Sequence, residues 1–136
     1  MLQNFPVIYY LLASTLLYWL MLMYASLAHA RGWTMPGMLL ALGNRDKMPD
    51  RSAAVARADR AAKNMGENLL IFAVVALAAV SIGAPRDKVL LGGQIFFFAR
   101  LAYWPVYLIG IPYLRTLIWA IALGGVAIIA ASFFNS

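Results

Sequence analysis

The run Arg57-Ala58-Asp59-Arg60-Ala61-Ala62-Lys63-Asn64-Met65-Gly66-Glu67-Asn68 continues without a break into Leu69-Leu70-Ile71-Phe72-Ala73-Val74-Val75-Ala76-Leu77. Charged and amide side chains therefore stand on the same helix that then spans a bilayer. At about 100° per residue, Arg57, Arg60, Asn64, Glu67 and Asn68 share roughly one third of the helix circumference. With a rise of about 1.5 Å per residue, Glu67 lies roughly 15 Å along the axis from Arg57. A carboxylate and two amides thus sit below the headgroups, where unpaired polar groups cost several kcal/mol. They are expected to face a protein interior, a neighbouring subunit or a bound polar ligand, and the ligand is the preferred reading.

The rest of the chain agrees with a membrane setting. Of its 136 residues, 64% are hydrophobic and only 12% are charged, well away from a soluble domain's average. That length holds one domain, over 1–136. Four segments suit about 30 Å of hydrocarbon: 7–28, 57–82, 89–109 and 114–134. The first has no basic start and no small-residue cleavage site, so it reads as a retained span. Between spans, Ser52 or Asp50 is expected to cap the second helix, and Gly83-Ala84-Pro85-Arg86-Asp87 to form a tight turn. Gly32 is expected to stop the first helix, with Trp33 as an interfacial anchor. The loop over 31–54 should be irregular, with one short helical turn around 36–42. Gly92-Gly93 and Gly124-Gly125 invite close helix approach, and Pro105 should kink the third span. Short turns favour sequential antiparallel neighbours in an all-α, four-span bundle.

Charge sets the expected orientation. Arg31, Arg45, Lys47 and Arg51 lie in the first loop, Arg57, Arg60 and Lys63 follow, and Arg115 begins the fourth span on the same side. The opposite side carries Arg86 and Lys88, offset by Asp87. This places the long loop in the cytoplasm, and a bacterial inner membrane is the expected location. The net charge of +6 then reads as topology plus attraction to anionic lipids or an anionic substrate, with no nucleic-acid partner. The absence of cysteine excludes disulfides, thiolate metal sites and any mechanism using the protein's own thiol, including quinone-linked thiol oxidation. One histidine, His29, builds neither a haem pair nor a zinc site, so no metal is expected.

Polar groups gather at the loop end of the bundle. Arg100, Tyr103 and Tyr107 share one helix face, Arg115 follows the next turn, and Arg31 leaves the first helix at the same level. Guanidiniums there would bind a ligand's carboxylates and Glu67 its ammonium, which suits a small zwitterionic or multiply carboxylated molecule. Blander readings stand beside this one. Arg60 and Glu67 could pair as bundle glue, Tyr103 and Tyr107 could be interface aromatics, and Arg100 could snorkel to the headgroups. Arg31 is expected at a helix end on topology alone, and His29 reads as an interfacial polar residue. Asp59 and Lys63 point away from the ligand face, toward solvent or lipid.

Arg60-Ala61-x-x-Asn64-x-x-Glu67-Asn68 with its apolar continuation resembles the second-helix signature of the MAPEG superfamily, the membrane-associated proteins of eicosanoid and glutathione metabolism. Phe98-Ala99-Arg100-Leu101-Ala102-Tyr103-x-x-x-Tyr107 is similar to that family's third-helix segment, and the broken turn before Arg115 also matches. The resemblance implies a homotrimer of four-helix subunits with glutathione bound between neighbours on the cytoplasmic side. Arg60, Asn64 and Glu67 would hold its charged and amide groups, helped by Tyr103, Tyr107, Arg100 and Arg31. Arg115 would stand by the sulfur as the catalytic cation, favouring thiolate over thiol. A lipophilic electrophile or hydroperoxide would arrive from the bilayer for conjugation or peroxide reduction.

Ala56 and Ala62 stand where family members often carry Glu and Gln or His, and Asn68 where some carry Tyr. These departures motivate the alternative of a non-enzymatic subunit or lipid-binding scaffold with the same fold. A proton-coupled four-span exporter is a third class, but it needs a mid-span carboxylate, often in the first span, and that span has no acidic residue.

Overall fold

Apolar residues surround most of each long helix, so sequence periodicity alone leaves the buried face undetermined, and packing decides it. In a computed structural model, which describes residues 5–135, the helices are α1 (Val7–Ala30), α2 (Met35–Leu42), α3 (Ala53–Ser81), α4 (Arg86–Ile109) and α5 (Pro112–Ala131), followed by a 3-10 turn at Ser132–Asn135. α1, α3, α4 and α5 with its terminal turn are long and apolar enough to cross a membrane. The protein is thus the all-α, four-span bundle expected.

Local chemistry sets the helix ends. The Ser52 hydroxyl accepts the Val55 N–H at 3.2 Å, so α3 begins at Ala53, directly after one of the two expected caps and four residues ahead of the expected span. Thr34 caps α2 likewise, accepting the Gly37 N–H at 3.1 Å, and α2 makes two turns where one was expected. α1 does not stop on Gly32: Arg31 takes the left-handed conformation, φ 54°, and the Gly32 N–H reaches back to the Leu27 carbonyl at 2.8 Å. That backbone reversal satisfies two terminal carbonyls of α1. At the same end of the bundle Gly110, φ 89°, ends α4. The next turn puts Pro112, which has no N–H, four residues after Leu108. The Leu108 carbonyl is met instead by the Arg57 Nε–H, at 3.0 Å, a cation at a helix C-terminus.

Sequential spans pack on one another: α1 on α3, α3 on α4, and α4 most extensively on α5, while α4 also touches α1 and α5 touches α3. The core is small-residue rich, with Ala25, Ala58, Ala61, Ala62, Ala76, Ala79, Ala99 and Ala122 buried around Met21, Met65, Phe72, Phe96 and Ile129. Phe72 and Phe96 stack across α3 and α4 at 4.2 Å between ring centroids. Leu12, Leu16 and Trp19 on α1, Leu70 and Val74 on α3, and Leu117 and Ile121 on α5 are exposed, as apolar side chains facing lipid would be.

The tightest contact is between α4 and α5. A Cβ on Gly92 would run into the Gly125 carbonyl, and one on Gly125 would lie 2.6 Å from the Gly92 carbonyl and 2.9 Å from the Phe96 nitrogen. Backbone cannot yield as a side chain can. Gly125→Ala should therefore cost roughly 1–3 kcal/mol, read as a lower melting temperature in detergent. Gly124→Ala, whose Cβ would meet nothing within 4 Å, should leave the melting temperature unchanged or raise it slightly.

Candidate functional site

Asn64 and Met65 of α3 meet the Arg100–Tyr103–Tyr107 face of α4. Arg100 is completely buried. Its Nη2 donates to the Asn64 Oδ1 at 2.9 Å, its Nε contacts the Met65 sulfur at 3.2 Å, and its guanidinium lies 4.2 Å from the centre of the Tyr103 ring. Arg100 does not snorkel, and it does not line the cleft. It orients Asn64 and Tyr103, which do.

Tyr103 and Tyr107 are also buried, with ring centroids 5.3 Å apart, so they belong to the core and not to an interfacial belt. The Tyr107 hydroxyl accepts the Arg60 Nε–H at 3.3 Å, and the Arg115 guanidinium stands 4.8 Å from the Tyr107 ring centre. Asn68 donates to the Asn64 carbonyl at 2.8 Å, which keeps its amide on the same side of α3. The resulting cleft, about 240 Å³, is lined by Asn64, Tyr103, Tyr107, Arg115, Thr116 and Trp119. Thr116 and Trp119 were not singled out from the sequence. The signal was available, because Trp119 follows Arg115 by four residues and so shares its helix face.

Two expected site residues lie elsewhere in the chain. Glu67 is exposed and makes no hydrogen bond or ion pair among the described residues. The Arg60–Glu67 pair that bundle glue would require does not form. Arg31 is exposed and lines a separate depression with Thr34, Leu40 and Lys47. Asp59 is not directed to bulk solvent or lipid either: its carboxylate pairs with Arg51 at 3.0 Å, within a groove that also holds Lys63.

The electrostatic character of the cleft is therefore one-sided. Arg115 lines it, Arg60 and Arg100 contact its Tyr107, Asn64 and Tyr103 walls, and the one ion pair among the described residues, Arg51–Asp59, involves none of them. Such a site attracts carboxylate or thiolate, and its tyrosines and asparagine add neutral donors and acceptors.

The model of the MAPEG family matches residues 6–134, nearly the whole chain. No curated protein matches it.

Arg100→Lys tests how the cleft is supported. A lysine keeps the charge but not the planar fork that serves Asn64, Met65 and Tyr103 together. It should cost roughly 1–3 kcal/mol of stability in thermal or denaturant unfolding. Arg60→Lys, at an exposed position with one long hydrogen bond, should cost no more than about 0.5 kcal/mol.

Proposed function

The chain belongs to the MAPEG family, and from that premise we propose that it is a glutathione-dependent transferase or peroxidase of the membrane. Membership places it among the membrane proteins of glutathione and eicosanoid metabolism. The observation that carries the finer reading is the set of arginines around the cleft with no carboxylate of their own. In this reading Arg60, Asn64, Tyr103 and Tyr107 hold the tripeptide's carboxylates and amides, and Arg100 fixes Asn64 and Tyr103 from behind. Arg115 stands beside the sulfur.

The chemistry follows from that cation. A thiol of ordinary pKa is a few per cent ionised at neutral pH, and a fixed positive charge beside it raises the thiolate fraction as the proton leaves to water. The sulfur then supplies the electron pair for a carbon–sulfur bond, and the leaving group departs with its own pair. With a hydroperoxide, the sulfur takes the terminal oxygen, the O–O bond breaks and the alkoxide is protonated by solvent. A second glutathione reduces the resulting sulfenic acid, giving disulfide and water.

The cleft in one chain is smaller than the roughly 300–1,000 Å³ of most small-molecule sites, and Glu67 and Arg31 lie outside it. Both facts support a site completed by a second copy, hence the homotrimer. Glu67 would bind the ammonium of glutathione there and Arg31 a carboxylate. The charge distribution supports a cytoplasm-facing site in a bacterial inner membrane, open sideways to lipophilic substrates.

Titrating detergent-purified protein with glutathione while recording thiolate absorbance should give a saturable signal. Arg115→Ala should abolish it and lower turnover of a lipophilic electrophile about 100-fold, the usual loss for one charge-stabilising donor. Binding without thiolate in the wild type would instead favour the non-enzymatic scaffold to which Ala56 and Ala62 point.

A further inference from the structure

A second polar depression lies on the opposite flank of α3. It is about 490 Å³ and runs between α1, α3 and the loop that joins α2 to α3. Its cationic wall is Arg45, Arg51 and Lys63, and its one carboxylate, Asp59, is already paired with Arg51. The loop is fastened over it. Arg45 donates to the Ser26 hydroxyl at 2.6 Å and to the Ala41 carbonyl at 2.9 Å, and the His29 Nε2 donates to the Pro49 carbonyl at 2.8 Å. The positive groups are thus held at fixed places and not on a free chain. Lys63 is exposed and makes no polar contact among the described residues, so its ammonium is available.

The other wall is a stripe on α1. Tyr18, Leu22, Ala25, Ser26 and His29 all line the groove, and their spacing puts them on one helix face. That stripe is polar at the loop end and apolar toward the middle of the span. A cationic end joined to an apolar trough beside a membrane helix matches an anionic lipid: phosphate and acyl chain are accommodated at once.

We propose that this groove binds an anionic phospholipid, its phosphate between Arg45 and Lys63 and the start of its acyl chain along Tyr18 and Leu22. A zwitterionic lipid fits less well, because its ammonium would enter a wall of three cations with a single, occupied carboxylate. A soluble anion would use the cationic end and leave the trough unused.

The test is native mass spectrometry of the full chain in detergent, titrated in parallel with phosphatidylglycerol, phosphatidylcholine, inorganic phosphate and glutathione. Phosphatidylglycerol adducts should form at lower concentration than phosphatidylcholine adducts. Lys63→Gln should weaken phosphatidylglycerol about fivefold and Lys63→Glu about 25-fold, as expected for the loss and reversal of one lipid-facing charge. Both variants should melt as the wild type does, since Lys63 supports no other group. Equal affinity for the two lipids, or phosphatidylglycerol binding indifferent to Lys63, overturns the proposal. Inorganic phosphate binding as tightly as phosphatidylglycerol would make a free anion the occupant and also overturn it. So would a Lys63→Gln variant that loses glutathione and keeps lipid, which would assign the groove to the glutathione site.

Discussion

A guanidinium sealed inside a membrane bundle constrains everything around it. Arg100 lies nine residues before the end of α4, roughly 14 Å along the axis and so near the middle of a span of about 30 Å. Its side chain is fully buried, and none of the described carboxylates reaches it. Its charge is met by an amide oxygen, a thioether and the face of a tyrosine ring. Each of these weak partners has to be held in place, because an uncompensated charge at that depth costs several kcal/mol. Asn64 and Met65 are accordingly on the buried side of α3, and Tyr103 is one helical turn along α4. The same requirement positions the cleft, since Asn64 and Tyr103 are also its walls. The stability of the bundle and the shape of the cleft rest here on shared atoms.

Much of this was legible from residue order. Ser52 as a cap, the helix over Pro36 to Leu42, the break at Gly110-Ile111-Pro112 and the grouping of Arg100, Tyr103 and Tyr107 all follow from local chemistry. Local rules failed where a contact spans distant parts of the chain. The Arg45–Ser26 and His29–Pro49 hydrogen bonds that close the loop join residues about twenty apart, and no spacing rule connects them. Arg31 in place of Gly32 as the left-handed residue is a failure of another kind. Gly37 of α2 packs closely on the carbonyls of Ala30 and Arg31, a contact between elements that glycine preference leaves out.

Glu67 shows a subtler error. Grouping it with Arg57, Arg60, Asn64 and Asn68 is correct in angle, but it sits at the edge of that sector, about 20° beyond Arg60. The buried stripe of α3 is Ala58, Ala61, Ala62, Met65, Leu69 and Phe72. On a helical wheel the centre of that stripe is roughly 190° from Glu67. Choosing the small-residue stripe as the core, and not the polar sector as the interior, would have turned Glu67 outward at once. Small residues mark the packed face in membranes because they admit neighbouring backbones.

The outward direction of Glu67 carries its own consequence. Counted back from Ser81, it is roughly 21 Å into the span, still inside the hydrocarbon thickness. A carboxylate on the outer face of a helix at that depth requires a partner that the single chain does not provide. Lys63 stands about 40° from it on one side and Arg60 about 20° on the other, so it occupies the seam between the two polar depressions of α3. A ligand's ammonium, a second copy's arginine or both can meet it there. The seam therefore joins the thiol-binding reading of the α4 side to the assembly that reading requires, because the residue left unsatisfied in one chain is the one an interfacial ligand would use.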